Sequence, residues 1–408
     1  MKFKYSYLLT IIVWYTCYTF KFPLTIFPDY IGFDIIYNGK PYLNKEICID
    51  ISFGSQLTPF KILINTFESS SLWIEHNNPL MNPSEYIPYY FNPNTSDSYK
   101  YLRVDASRSV NDYLISGQLS KETIQLSSDL LINNITFFLK KVNDTYYYNK
   151  NIGGFLLLAF NELPLSLSKE NLDFISQLKQ RHLVTKHLFS IDTNYLYLDE
   201  TPFNKEEYST CSVTTPITCT YWMCTLEETN FNHINSYRRS IFAIEFLYIQ
   251  STSEYFNMIT NEYLKDLIQV KKQCQVISKF DYELIECDKR ININKLSDLN
   301  FGFEGGLKIT MKAKELFYER NDKEKLIFMI IHKKTRAFYY DWIFGNVVFK
   351  HYSVFFDHDN KMIGFKRIQN NVENFHNDNV VLMKNILKLN AIIITISLIF
   401  LGMKKFGK

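Results

Sequence analysis

Trp342-Ile343-Phe344-Gly345-Asn346, running on through Val354-Phe355-Phe356-Asp357 to Ile363-Gly364-Phe365, is built from aromatic and β-branched residues broken by glycine. That composition predicts short strands with buried side chains. The same kind of run recurs outward along the chain, at residues 46–53, 60–65, 123–126, 195–198, 299–303 and 347–355. Helical periodicity is confined to residues 172–180, 253–270 and 313–317. An all-β body with few short helices follows. Its halves echo each other, because an apolar strand leads into a polar or serine-bearing turn at residues 62–71 and again at 241–251. Each half is therefore expected to form one lobe.

The chain has 408 residues, of which 46% are hydrophobic and 16% aromatic, with 29 Tyr and 34 Phe against 13 Gly and 11 Pro. This suits a strand-rich globular body and excludes a disordered one. A net charge of +3, spread along the sequence, leaves no electrostatic footprint for nucleic acid.

Both ends read as membrane-directed. Lys2 and Lys4 precede an apolar run at residues 7–16, the layout of a secretory signal peptide over residues 1–20, with an uncleaved anchor as the alternative. Near the other end residues 389–403 are apolar and uncharged, and Lys404, Lys405 and Lys408 follow. A transmembrane helix over 385–403 is expected, after a linker at 368–384 and before a short basic cytosolic tail at 404–408. The expected product is a single-pass type I protein of the secretory pathway or cell surface, its folded domain lumenal or extracellular. Cys48, Cys211, Cys219, Cys224, Cys274 and Cys287 could form three disulfides there, in a pairing that spacing leaves open. No Cys-x-x-Cys or histidine cluster points to a metal, and no cofactor is expected. Asn94, Asn134 and Asn143 lie in glycosylation sequons.

Between the ends, motifs appear in order. Ile49-Asp50-Ile51-Ser52-Phe53-Gly54 and Gln56 are followed by Ser69-Ser70-Ser71-Leu72-Trp73-Ile74, by Phe91-Asn92-Pro93 with Ser96, Ser98 and Tyr99, and by Gly117 with Glu122-Thr123-Ile124. Gly153-Gly154-Phe155-Leu156-Leu157-Leu158-Ala159-Phe160 comes next, then Phe189-Ser190 before Tyr195-Leu196-Tyr197-Leu198. Tyr221-Trp222, Cys287-Asp288 with Leu296 to Phe303, and the closing stretch complete the series. Across nearly all of residues 47–366 this resembles the pepsin-like aspartic protease family, and the layout of Cys274 and Cys287 is similar to its plasmepsin-type members. The resemblance implies a bilobal pepsin fold, with an N-terminal lobe over 42–198 and a C-terminal lobe over 199–367.

The family's chemistry needs two aspartates sharing one proton, each in an Asp-Thr/Ser-Gly loop. Here the first loop reads Ile64-Asn65-Thr66-Phe67-Glu68-Ser69, with Asn65 at the aspartate position when aligned from the preceding strand and Thr66 when counted back from Trp73. The second, Ile241-Phe242-Ala243-Ile244-Glu245, places Ala243 there. Residues 103–116, at the family's flap, are long and polar and lack its Tyr-Gly, with Tyr113 an outside candidate. The expectation is a pseudoprotease whose cleft binds an extended peptide or protein partner. One alternative is an active aspartic endopeptidase with a non-standard site, using Glu68 and Glu245 as a substitute carboxylate pair. Another is a structural surface protein whose cleft Phe67, Phe246 and Tyr248 close. Ser69 to Ser71 reads as a turn, and Cys48 with His76 as half of a disulfide and a loop residue, rather than as nucleophiles.

Overall fold

Phe60, Ile62 and Ile64 alternate with partly exposed residues, so the strand Thr58–Asn65 turns one face into the core. It ends at buried Asn65. The computed structural model describes residues 20–26, 36–37, 40–41, 47–67, 70–75, 91–110, 113–127, 130–140, 153–160, 173–214, 221–230, 238–279, 281–319, 325–334 and 340–368. Met1–Lys366 forms one compact unit, which holds both lobes, and Arg367–Lys408 a second.

The first lobe is an eight-stranded sheet and the second is built on a ten-stranded sheet. At the heart of each lies the same arrangement. Gly154–Leu158 runs between Thr58–Asn65, to which it is parallel, and Ser70–Glu75, to which it is antiparallel. In the second lobe Trp342–Phe344 runs between Arg238–Phe242, parallel, and Ile249–Ser251, antiparallel. The inserted strand is buried on both faces in each case, as its apolar composition demands. A third, six-stranded sheet draws on both halves, pairing Phe20–Pro23 with Tyr195–Leu198, Leu188–Ile191 with Tyr352–Asp357, and Ser209–Ser212 with Met362–Arg367. Trp222, fully buried, ties the halves further by donating from its indole nitrogen to the Leu158 carbonyl at 2.6 Å.

Several expectations are corrected. Residues 347–355 do not form one strand: Asn346–Phe349 is a short helix and Tyr352–Asp357 the strand. The amides of Asn346 and Val347 are taken up by the carbonyls of Phe246 and Leu247, at 2.5 and 3.1 Å, and all four helical residues are buried. Tertiary contacts thus override the β-propensity of Val-Val-Phe. Residues 253–270 do not form a uniform helix, because one α-turn segment, Ser253–Met258, gives way to wider turns closed by Leu264 N–H to Ile259 and Lys271 N–H to Asp266, both at 2.8 Å. The strand expected at 123–126 is the end of a longer one, Tyr113–Ser127, which pairs with Lys100–Val110 as a hairpin over the family's flap region. Helix Phe174–Gln180, capped by Asp173, and the short turn Ala313–Leu316 fall where the sequence places them.

Two disulfides form among the described residues, Cys211–Cys224 and Cys274–Cys287, rather than three. Cys48 is wholly buried in Ile47–Phe53 and belongs to neither bridge, and Cys219 lies outside the described residues. Also outside them are Glu68, Ser69, His76, Asn143, residues 1–19 of the expected signal and 369–408, which carry most of the linker, the expected span and the tail. Phe20, the last residue of that signal range, is buried and sits opposite Leu198. No helix among the described residues is long and apolar enough to cross a membrane.

Gly345 is required by close approach, since a Cβ there would run into the carbonyl oxygens of Phe246 and Tyr248. Gly345→Ala is expected to cost about 3 kcal/mol or more in urea unfolding. Gly306→Ala, where a Cβ meets nothing but φ is +84°, should cost about 1 kcal/mol.

Candidate functional site

The two equivalent strands, Thr58–Asn65 and Arg238–Phe242, deliver their loops to the same place between the lobes. Thr66 marks the contact. Its hydroxyl accepts from the Ile244 amide at 3.0 Å and lies 3.4 Å from the Phe242 carbonyl, to which it can donate. This fixes the equivalence of the loops: Thr66 answers to Ile244, and Asn65 to Ala243. Pseudo-twofold symmetry would require a second hydroxyl reaching back, but Ile244 has none.

Glu245 occupies that role differently. Its Oε2 accepts from the Thr66 amide at 3.2 Å and lies 3.5 Å from the Thr66 hydroxyl. The residue is only 7% exposed, and Oε1 is buried without a hydrogen-bond partner among the described residues. Burial pushes this carboxyl up to about 7, against the opposing pull of amides from its own backbone, Thr66 and Phe67 and of the Thr66 hydroxyl. Asn65 is buried as well, its Oδ1 turned back onto the Phe67 amide at 2.9 Å, a local turn that leaves the side chain shaped by its own loop. Ala243 is completely buried.

Over this joint lies an aromatic layer. Phe67, where the family resemblance expects glycine, reaches from the first loop into the second lobe and stacks on Tyr221 at 4.7 Å. It meets Phe246 and Tyr340 edge-on at 5.4 and 6.1 Å, and Met223, Ile241, Ala243 and Ile343 complete the packing. Of the expected cleft residues, Phe67 and Phe246 therefore come together. Tyr248 touches the edge of Phe246 at 5.9 Å, while its hydroxyl reaches Tyr282 at 3.5 Å. Burial, then the neighbouring Tyr282, holds the Tyr248 phenol well above its ordinary range.

Glu68, the proposed mate of Glu245, lies outside the described residues. Asn94 and Asn134 are exposed, the latter at a strand irregularity with φ of 58°. No cluster of three metal-ligating side chains occurs among the described residues. Sequence reasoning missed Thr66 as the cross-lobe residue and Tyr340 as part of the aromatic layer. For Thr66 the signal was available: it is the one hydroxyl between Asn65 and Phe67, and its counterpart Ile244 lacks one. Tyr340 is joined to the layer only by tertiary packing.

Thr66→Val should leave the Ile244 amide and Phe242 carbonyl buried and unpaired, lowering stability by about 3 kcal/mol in urea unfolding, whereas Thr66→Ser should retain most of it.

The eukaryotic aspartyl protease family model matches residues 46–368. Pepsin A of Gallus gallus is 25% identical over 341 residues, covering 79% of this chain and 84% of that protein. The crystal structure of an aspartic proteinase from Irpex lacteus superposes with a TM-score of 0.63 at 14% identity, covering 86% of this chain and 98% of that one. The fold is thus a mostly β, bilobal pepsin-like one. The two disulfides among the described residues suggest a secreted or extracellular domain.

Proposed function

This chain belongs to the eukaryotic aspartyl protease family, and we propose that it is a member that keeps the scaffold without the proteolytic dyad, a pseudoprotease that binds extended peptide or protein segments. The observation that carries this reading is the bond from the Ile244 amide to the Thr66 hydroxyl, which supports taking Asn65 and Ala243 as the equivalent loop positions. Proteolysis in this family needs one carboxylate to take a proton from water and a second to supply one. Asn65 cannot take a proton at ordinary pH, and Ala243 offers no polar atom. Among the described residues Glu245 brings a carboxylate to this joint, and its Oε2 is engaged by the amide of the opposite loop. A peptide would instead be held by strand addition along the long hairpin Lys100–Val110 with Tyr113–Ser127 and by aromatic side chains at the cleft floor.

A second reading, a structural surface protein, is favoured by the reach of Phe67 across the lobes, which fills the floor with side chains. On either reading the domain is delivered through the secretory route and held by the apolar segment 389–403, with Lys404, Lys405 and Lys408 on the cytosolic side.

The purified full-length protein, incubated with a random peptide library from pH 3 to 7, is expected to yield no cleavage products by mass spectrometry while retaining some library members. Acid-dependent cleavage that survives Asn65→Ala and disappears in Glu245→Gln would select the glutamate-based enzyme. Absence of both cleavage and retention would select the structural reading.

A further inference from the structure

We propose that Glu245 is a proton-operated latch between the lobes: with its carboxyl protonated the joint at Thr66 stays closed and dry, and loss of the proton loosens it. The geometry carries this, whatever the outcome for proteolysis. The carboxyl spans the two lobes through Thr66 N–H to Oε2, yet Oε1 is buried with no hydrogen-bond partner among the described residues. Burial makes ionisation of this carboxyl costly, with only neutral donors acting on it among the described residues, and the means of relieving that cost is to open the joint and hydrate the group.

The groups acting on the carboxyl most strongly are neutral: its own amide, those of Thr66 and Phe67, and the Thr66 hydroxyl. From the first loop it meets Thr66 and the Phe67 amide; Glu68 beyond them lies outside the described residues. The second lobe contributes the phenols of Tyr221, Tyr248 and Tyr340 to the surrounding aromatic set. Thr66 is held by the Ile244 amide and Phe242 carbonyl independently of the proton. Ionisation therefore weakens one side of the joint and leaves the other in place.

The sign follows from linkage. Burial raises the carboxyl from its ordinary value near 4.5 to about 7. The closed state consequently holds the proton more tightly than any open state in which the group is hydrated. Closure is fully favoured below pH 4.5, weakens as pH rises from there, and levels off above about 7. That interval corresponds to a change of about 300-fold in the opening equilibrium.

Hydrogen exchange of the Thr66 amide, corrected for base catalysis and read against the proton-independent Ile244 amide, tests it on the full-length protein. Protection is expected to fall by up to about 300-fold between pH 4.5 and 7.5 in the native chain and to stay flat in Glu245→Gln. The same fall in Glu245→Gln, or no fall in the native chain, overturns the proposal. Should Glu245→Gln not fold, infrared spectroscopy of the native protein decides: a protonated-carboxyl band persisting at pH 6 is expected, and its absence overturns the latch.

Discussion

One threonine hydroxyl holds the two lobes in register. Thr66 serves the Ile244 amide and the Phe242 carbonyl at once, at the point where two copies of the same strand arrangement meet. Both partner groups are backbone and buried, so the joint is obligatory: any residue unable to accept and donate there leaves polar groups stranded in an apolar interior. The return half of the joint is absent because Ile244 has no hydroxyl, and Glu245 supplies an acceptor for the Thr66 amide in its place. A carboxylate is a costly acceptor in that setting, which is why its proton affinity rises.

On the proposed reading, the same region is where the cleft floor departs from a hydrolytic one. Water activation needs a polar, hydrated centre between two acids. Here Phe67, Tyr221, Phe246 and Tyr340 pack against each other over the buried Ala243. Burying a phenylalanine stabilises by about 1.5–3 kcal/mol, comparable to the penalty of one unpaired buried polar group. In the proposed reading the aromatic layer offsets what the one-sided joint lacks. Loss of the acids, loss of the glycine and gain of Phe67 then belong to one physical change rather than three.

Much of this was legible in the sequence and some was not. Strands such as Tyr195–Leu198 and Leu299–Phe303 fall where alternating apolar residues put them. The repeated turn at 62–71 and 241–251 announced two loops, while the sequence register left Asn65 and Thr66 as alternatives in the first and put Ala243 in the second. What escaped depends on contacts made far along the chain. The Asn346–Phe349 helix owes its start to carbonyls about a hundred residues away, at Phe246 and Leu247. Glu245 reads as a solvated loop residue until the opposite lobe is brought over it.

The account's central claim is that this pepsin-like centre has no carboxylate pair with which to grip a tetrahedral centre. Calorimetric titration with a statine-type peptide, whose hydroxyl mimics that centre, measures this most directly. The account predicts that at pH 4.5 the statine hydroxyl adds no affinity over the same peptide without it, with no dependence on Asn65 or Glu245. Micromolar or tighter binding that is lost on replacing either residue would contradict it.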